Sequence, residues 1–168
     1  MASADRSELV CRVALLTIVT SGADVMTSPL QAVGFMVGDG GPVVYLAAGR
    51  GGERRALVKL LREARGWDLL VTWGGEIVQF ISSRALHHEL DIIPLHEVMH
   101  FDLRRYVGER LGLSGRELAE VAEFLHAGGG RNSRMDVRRR CLTDLKLLHG
   151  VFTRLKPLLR WTNPELAL

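Results

Sequence analysis

The chain has 168 residues, 47% hydrophobic and 24% charged, with a formal net charge of +3. That length favours one domain around one core, and the balance is that of a globular protein. No apolar run approaches the roughly 20 residues that span a bilayer, and the polar start Met1–Glu8 lacks the pattern of a secretory signal, so we expect a cytoplasmic protein with no membrane partner.

Leu9–Thr20 is rich in Val, Leu and Ile with little polar alternation, the pattern of a strand buried on both faces. Leu30–Val37 is a second strand, and Gly38-Asp39-Gly40-Gly41-Pro42 signals a hairpin into a third, Val43–Ala48. Gly49-Arg50-Gly51-Gly52 fits neither GxxxxGK[ST] nor GxGxxG and is read as a turn. Glu53–Arg65 is an amphipathic helix with Ala56, Leu57, Leu60, Leu61 and Ala64 on one face.

Asp68–Trp73 is a fourth strand, and Gly74-Gly75 leads into a helix over about Glu76–Leu90. Pro94 marks a break, Val98–Leu103 reads as a short edge strand or helix entry, and Arg104–Leu111 is helical. Ser114 with Glu117 predicts a capping box for a helix running to about Leu125. Gly128–Ser133 reads as a loop, and a long last helix from about Met135 to Leu155 is expected to bend or end near Pro157. A mixed α/β sheet covered by helices follows, with the first and fourth strands central.

Cys11 and Cys141 form neither CxxC nor a disulfide framework and read as packed thiols. His87-His88 and His96-x-x-x-His100 raise the question of zinc, since histidines four apart on a helix would share a face. The pattern is not HExxH and lacks a third ligand at suitable spacing, so solvated or helix-end histidines are expected. No Gly-x-Ser-x-Gly nucleophile elbow occurs.

Several segments, in order, carry a resemblance. They are Thr17-Ile18-Val19-Thr20-Ser21-Gly22; Leu70-Val71-Thr72-Trp73-Gly74-Gly75 followed by Ser83-Arg84-Ala85-Leu86; Phe101-Asp102-Leu103-Arg104; and Cys141-Leu142-Thr143-Asp144-Leu145. Together they resemble the motifs of the DEDD (DnaQ-like) 3′–5′ exonuclease superfamily, similar to the proofreading domains of B-family polymerases. The resemblance implies a single ribonuclease-H-like domain: three antiparallel strands, then parallel additions, over about 9–155, with a tail from 156.

The resemblance also implies where chemistry belongs. In the family, carboxylates hold two divalent ions that activate water for phosphodiester hydrolysis. Thr17 and Val19 stand where the first motif has Asp and Glu. The acid of the second motif falls on Ile77 counting from Arg84-Ala85, or on Gln79 counting from Gly74-Gly75, with Glu76 the nearby acid. The third motif keeps Asp144, and Arg139 or Arg140 stands in the place of its proton-handling residue. Three of the four acid positions are thus lost. Asp144 and Glu76 remain as vestigial candidates, and no resident metal is expected, Mg²⁺ or Mn²⁺ entering only if residual nuclease activity exists. Asp144 also reads simply as a salt-bridging residue of a basic helix.

The positive signal is Arg131, Arg134, Arg138, Arg139 and Arg140, a cluster able to neutralise phosphates or equally to form a solvated face or protein rim. No surface aromatics for base stacking stand out, Trp73 and Tyr106 reading as core. The leading expectation is a catalytically inactive exonuclease relative that binds DNA or RNA as an accessory protein. The alternatives are a structural subunit or homodimer using the former active-site face, and a residually active nuclease with a site rebuilt from Glu76, Asp102 and Asp144.

Overall fold

A computed structural model describes residues 11–129, 136–166 and 168. Five strands form one sheet: β1 (Val13–Thr20), β2 (Leu30–Val37), β3 (Val43–Leu46), β4 (Leu69–Thr72) and β5 (Met99–Asp102). The spatial order is β3-β2-β1-β4-β5. β1 pairs antiparallel with β2 and parallel with β4; β2–β3 is antiparallel and β4–β5 parallel. The first and fourth strands are interior, as their unbroken apolar runs require.

The helices are α1 (Gly52–Ala64), α2 (Glu76–His87), α3 (Ile93–His96), α4 (Leu103–Leu111), α5 (Leu118–Phe124) and α6 (Val137–Thr162), followed by a 3-10 turn at Pro164–Leu166. Alternation along β1 divides the core in two. Ala14 and Leu16 point to one face, with Leu57 and Leu60 of α1 and Ile81 and Ala85 of α2. Leu15 points to the other, with Tyr106 of α4, Val121 of α5, and Leu148 and Val151 of α6. Each fully covered Leu in these clusters is worth about 2 to 5 kcal/mol against truncation to Ala.

Two boundaries differ from the sequence reading. The capping box expected at Ser114 forms three residues later, where the Glu117 amide donates to the Glu120 carboxylate at 2.8 Å. Gly115 takes the left-handed conformation, φ 73°, which ends any helical run begun at Ser114. The last helix does not end near Pro157 but continues to Thr162. Leu155 and Leu159, on either side of the proline, are both buried in the same cluster. That packing holds the helix together across the one hydrogen bond a proline cannot donate.

Candidate functional site

The site implied by the motifs lies where β1 meets α6. Gly34 on β2 is the Cα partner of Thr17 on β1, and opposed residues of an antiparallel pair share a face. A Cβ on Gly34 would sit 2.6 Å from Cys141 Sγ and 2.8 Å from Leu145 Cδ1. Thr17 therefore faces α6, and so does Val19 two residues on. Gly34 lets the helix settle directly on the sheet. Thr17 is 7% exposed and Val19 2%, and Val19 packs with Ala32 and Cys141.

The place of the first-motif acids is thus a packed contact. Valine offers no ligand atom and threonine only a neutral hydroxyl, whereas Mg²⁺ requires hard, mostly anionic oxygens. Burial pushes the Cys141 thiol up to about 12, with the Asp144 charge adding to it and Arg138 opposing it. A thiol so held is protonated at neutral pH and a poor nucleophile. Asp144 itself is half-buried one turn after Cys141.

The second-motif positions go elsewhere. Ile77 and Gln79 line an open groove of about 450 Å³ with Ile18, Thr20, Val25 and Phe80. Ile18 and Ile77 pack against the α1–α2 core, so this groove opens on the opposite face from Thr17 and Val19. The structure does not bring the first and second motif positions together on one face.

Glu76, half of the vestigial pair, is well exposed and paired to Arg104 at 2.9 Å. Asp102 is occupied with backbone: its Oδ1 accepts from Arg105 N at 3.0 Å, capping α4, and from Gly74 N at 3.2 Å. Gly74 stands at φ 110°, a conformation that suits glycine alone. Its carbonyl accepts from Thr72 Oγ1 at 2.8 Å, and the same hydroxyl meets His100 Nε2 at 2.8 Å. Burial lowers the His100 pKa, against the pull of the Asp102 charge. The turn that in the family presents Asn-Gly is here fastened by Thr72, His100 and Asp102.

Among the described residues no three His, Cys, Asp or Glu side chains gather into a metal-binding group. The site rebuilt from Glu76, Asp102 and Asp144 is therefore not assembled, and the donor set does not fit a two-ion centre. The histidines do not form a pair either. His96 ends α3 and bonds Ser82 Oγ at 3.0 Å, while His100 lies on β5.

The second motif's Arg-Ala has a structural use that the sequence reading missed. Arg84 is buried, and its Nε and Nη2 donate to Glu53 at 2.8 and 2.6 Å. His88 Nε2 and Leu30 N each reach the same carboxylate at 2.8 Å. Burial alone would raise the Glu53 carboxyl; the hydrogen bonds from Arg84, His88 and Leu30 overcome it and bring it down to about 2. His88 is a helix-end histidine as expected, standing at the C-cap of α2, and it also belongs to this network. A Glu opening one helix and an Arg-x-x-x-His on the next is the signal that was available.

Arg138, Arg139 and Arg140 are exposed on the first turn of α6. Asp136 caps that turn, accepting from Arg139 N at 2.8 Å, and its carboxylate lies 3.8 Å from Arg139 Nε. Arg131 and Arg134 lie outside the described residues. Surface aromatics do exist, contrary to expectation: Trp161 is 81% exposed and Phe124 67%. Tyr106 is core as expected, and Trp73 is half-buried.

No protein-family model and no curated protein matches the sequence. Solved structures do resemble the chain. The family B DNA polymerase of the hyperthermophilic archaeon Pyrobaculum calidifontis superimposes with TM-score 0.73 at 19% identity, over 89% of this chain and 25% of the polymerase. NrnC of Brucella melitensis gives TM-score 0.59 at 16% identity, over 94% of this chain and 79% of NrnC. NrnC bound to pGG gives 0.57 at 17%, over 94% and 78%. This chain spans a quarter of the polymerase's length. The chain shares the fold of these proteins, ribonuclease-H-like with a mixed five-stranded sheet. Among the described residues no helix is long and apolar enough to cross a membrane.

Proposed function

We propose that this chain is a catalytically inactive relative of the 3′–5′ exonucleases that binds DNA or RNA as an accessory protein in the cytoplasm. The observation that carries the reading is the burial of Val19 against Ala32 and Cys141, where a nuclease of this fold would place a metal-holding acid. Binding falls to the exposed arginines opening α6. Arg138 and Arg140 are the better phosphate contacts, since Arg139 shares its charge with Asp136. The likeness to NrnC, a protein seen bound to pGG, supports a nucleic-acid ligand.

The test is direct. Labelled single-stranded DNA, RNA and the dinucleotide pGG are incubated with the protein and Mg²⁺ or Mn²⁺. No hydrolysis is expected, and cleavage that Asp144→Ala abolishes would refute inactivity. Binding to single strands should weaken with salt, and each lost phosphate contact should lower the logarithmic slope by about 0.7. Arg138→Ala with Arg140→Ala should weaken it; no binding at low salt defeats the reading.

A further inference from the structure

A second basic feature lies on the outer face of α6, away from the motif positions. Beyond its first turn the helix carries Lys146, Arg154, Lys156 and Arg160 against Asp144 as its one acid. Midway along it a shallow pocket of about 390 Å³ opens between the end of α5 and α6, lined by His126, Ala127, His149, Gly150, Thr153, Arg154 and Pro157. Every polar side chain there can donate a hydrogen bond, and no carboxylate lines it. Arg154 would repel a cation but gives an anion a forked donor.

The pocket is built by close backbone contact. A Cβ on Gly150 would lie 2.0 Å from Ala127 O, so the turn after α5 rests on the helix backbone itself. That turn is a Schellman closure: Ala127 N donates to Ala122 O at 2.8 Å and His126 N to Glu123 O at 3.1 Å. The residue in the left-handed position of such a cap is usually glycine. Here it is His126, at φ 52°, a residue that lines the pocket with His149. A side chain held where glycine would be more comfortable is an outlier that asks for a use.

One turn beyond the pocket stands Trp161, 81% exposed. Arg154, Pro157 and Trp161 fall at i, i+3 and i+7, one face of the helix, with Trp161 roughly 10 Å along the axis from Arg154. A donor pocket beside an open indole matches a phosphate followed by a base.

We infer that the α5–α6 pocket holds a backbone phosphate of a single-stranded nucleic acid, with a neighbouring base stacked on Trp161. This rests on the nucleic-acid reading above and adds a second contact region to the arginines at the start of α6.

Fluorescence anisotropy of a labelled single-stranded oligonucleotide tests it in four variants. Arg154→Gln should lower the salt slope by about 0.7. Trp161→Ala should weaken binding about fivefold or more, with Trp161→Phe largely restoring it. His126→Gly should weaken binding while the melting temperature stays level or rises, because glycine suits the cap better; this separates lost contact from lost fold. If the protein binds, responds to Arg138→Ala with Arg140→Ala, and ignores the changes at His126, Arg154 and Trp161, the pocket assignment is overturned and the nucleic-acid reading stands. If the unaltered protein binds no single strand at low salt, both fall.

Discussion

The face of the sheet under α1 and α2 and the face under α6 treat polar groups in opposite ways. Under α1 and α2 the chain keeps a half-buried carboxylate, Glu53, and surrounds it with Arg84, His88 and the Leu30 amide. Under α6, where the fold's chemistry would need carboxylates, it has Thr17 and Val19 against Cys141 and Leu145. Two segments that carry the resemblance thus bear different loads. The Arg-Ala of the second motif ties two helices and the segment at Val25 together, a role that outlasts any reaction. At the end of β1 the corresponding positions hold Thr17 and Val19, both buried, with Val19 packed on Ala32 and Cys141.

The largest effects should come from breaking the network. Arg84→Ala leaves the half-buried Glu53 with only His88 and one amide, and should cost about 3 kcal/mol in urea unfolding. A loss under 1 kcal/mol would mean that Glu53 escapes to solvent and that the face is not built around it. The same contrast appears with pH. Glu53 is depressed to about 2 in the fold and is near 4.3 when unfolded. Its contribution, about 3 kcal/mol, is therefore full above pH 4.3 and lost as pH falls toward 2. The stability gap between the native chain and Glu53→Gln should close over that window; a constant gap would break the assignment.

On the α6 face the test is steric. Gly34→Ala places a methyl against Cys141 and Leu145 and should cost about 1 to 3 kcal/mol. Cys141→Ala opens space beside it, so the double variant should be more stable than the sum of the two losses by about 0.5 kcal/mol or more. Strict additivity would place the helix further from the sheet than the packing here. Alkylation of Cys141 should be negligible at pH 8 until unfolding, as a thiol raised to about 12 requires.

Much of this was legible in the sequence because burial writes itself into composition. The apolar runs that became β1 and β4 have no polar alternation since both faces of Val13–Thr20 and Leu69–Thr72 are covered, and that alone put them inside the sheet. Motif order set Thr17 and Val19 where the resemblance has acids, and the structure adds that both are buried. Long-range partners were not. Nothing local links Glu53 to Arg84, 31 positions away, or Thr72 to His100, and the facing of Ile77 away from Thr17 depends on where α2 crosses the sheet. Pro157 misled for a related reason: its local cost is fixed, but the burial of Leu155 and Leu159 that offsets it is tertiary. Trp161 reads in the sequence as docking a short tail with Leu166 and Leu168; in the fold Leu166 is buried and Trp161 is exposed.

The smallest effect sits at the seam between the two faces. Asp102 caps α4 and holds the Gly74 amide through one oxygen, Oδ1. Neither duty needs a charge, and Asn caps a helix about as well as Asp. Asp102→Asn should therefore change stability by less than about 0.5 kcal/mol, while Asp102→Ala, which strands both amides, should cost about 1 to 2 kcal/mol. The histidine beside it should respond more than the fold does. The Asp102 charge raises the His100 pKa against burial, so removing the charge should lower it further, a shift that imidazole proton resonances would follow. A metal ligand would behave in the reverse way. Asn would then be as damaging as Ala, and Mn²⁺ would stabilise the native chain but not Asp102→Asn. That result would return Asp102 to a rebuilt metal site and would erase the contrast between the two faces.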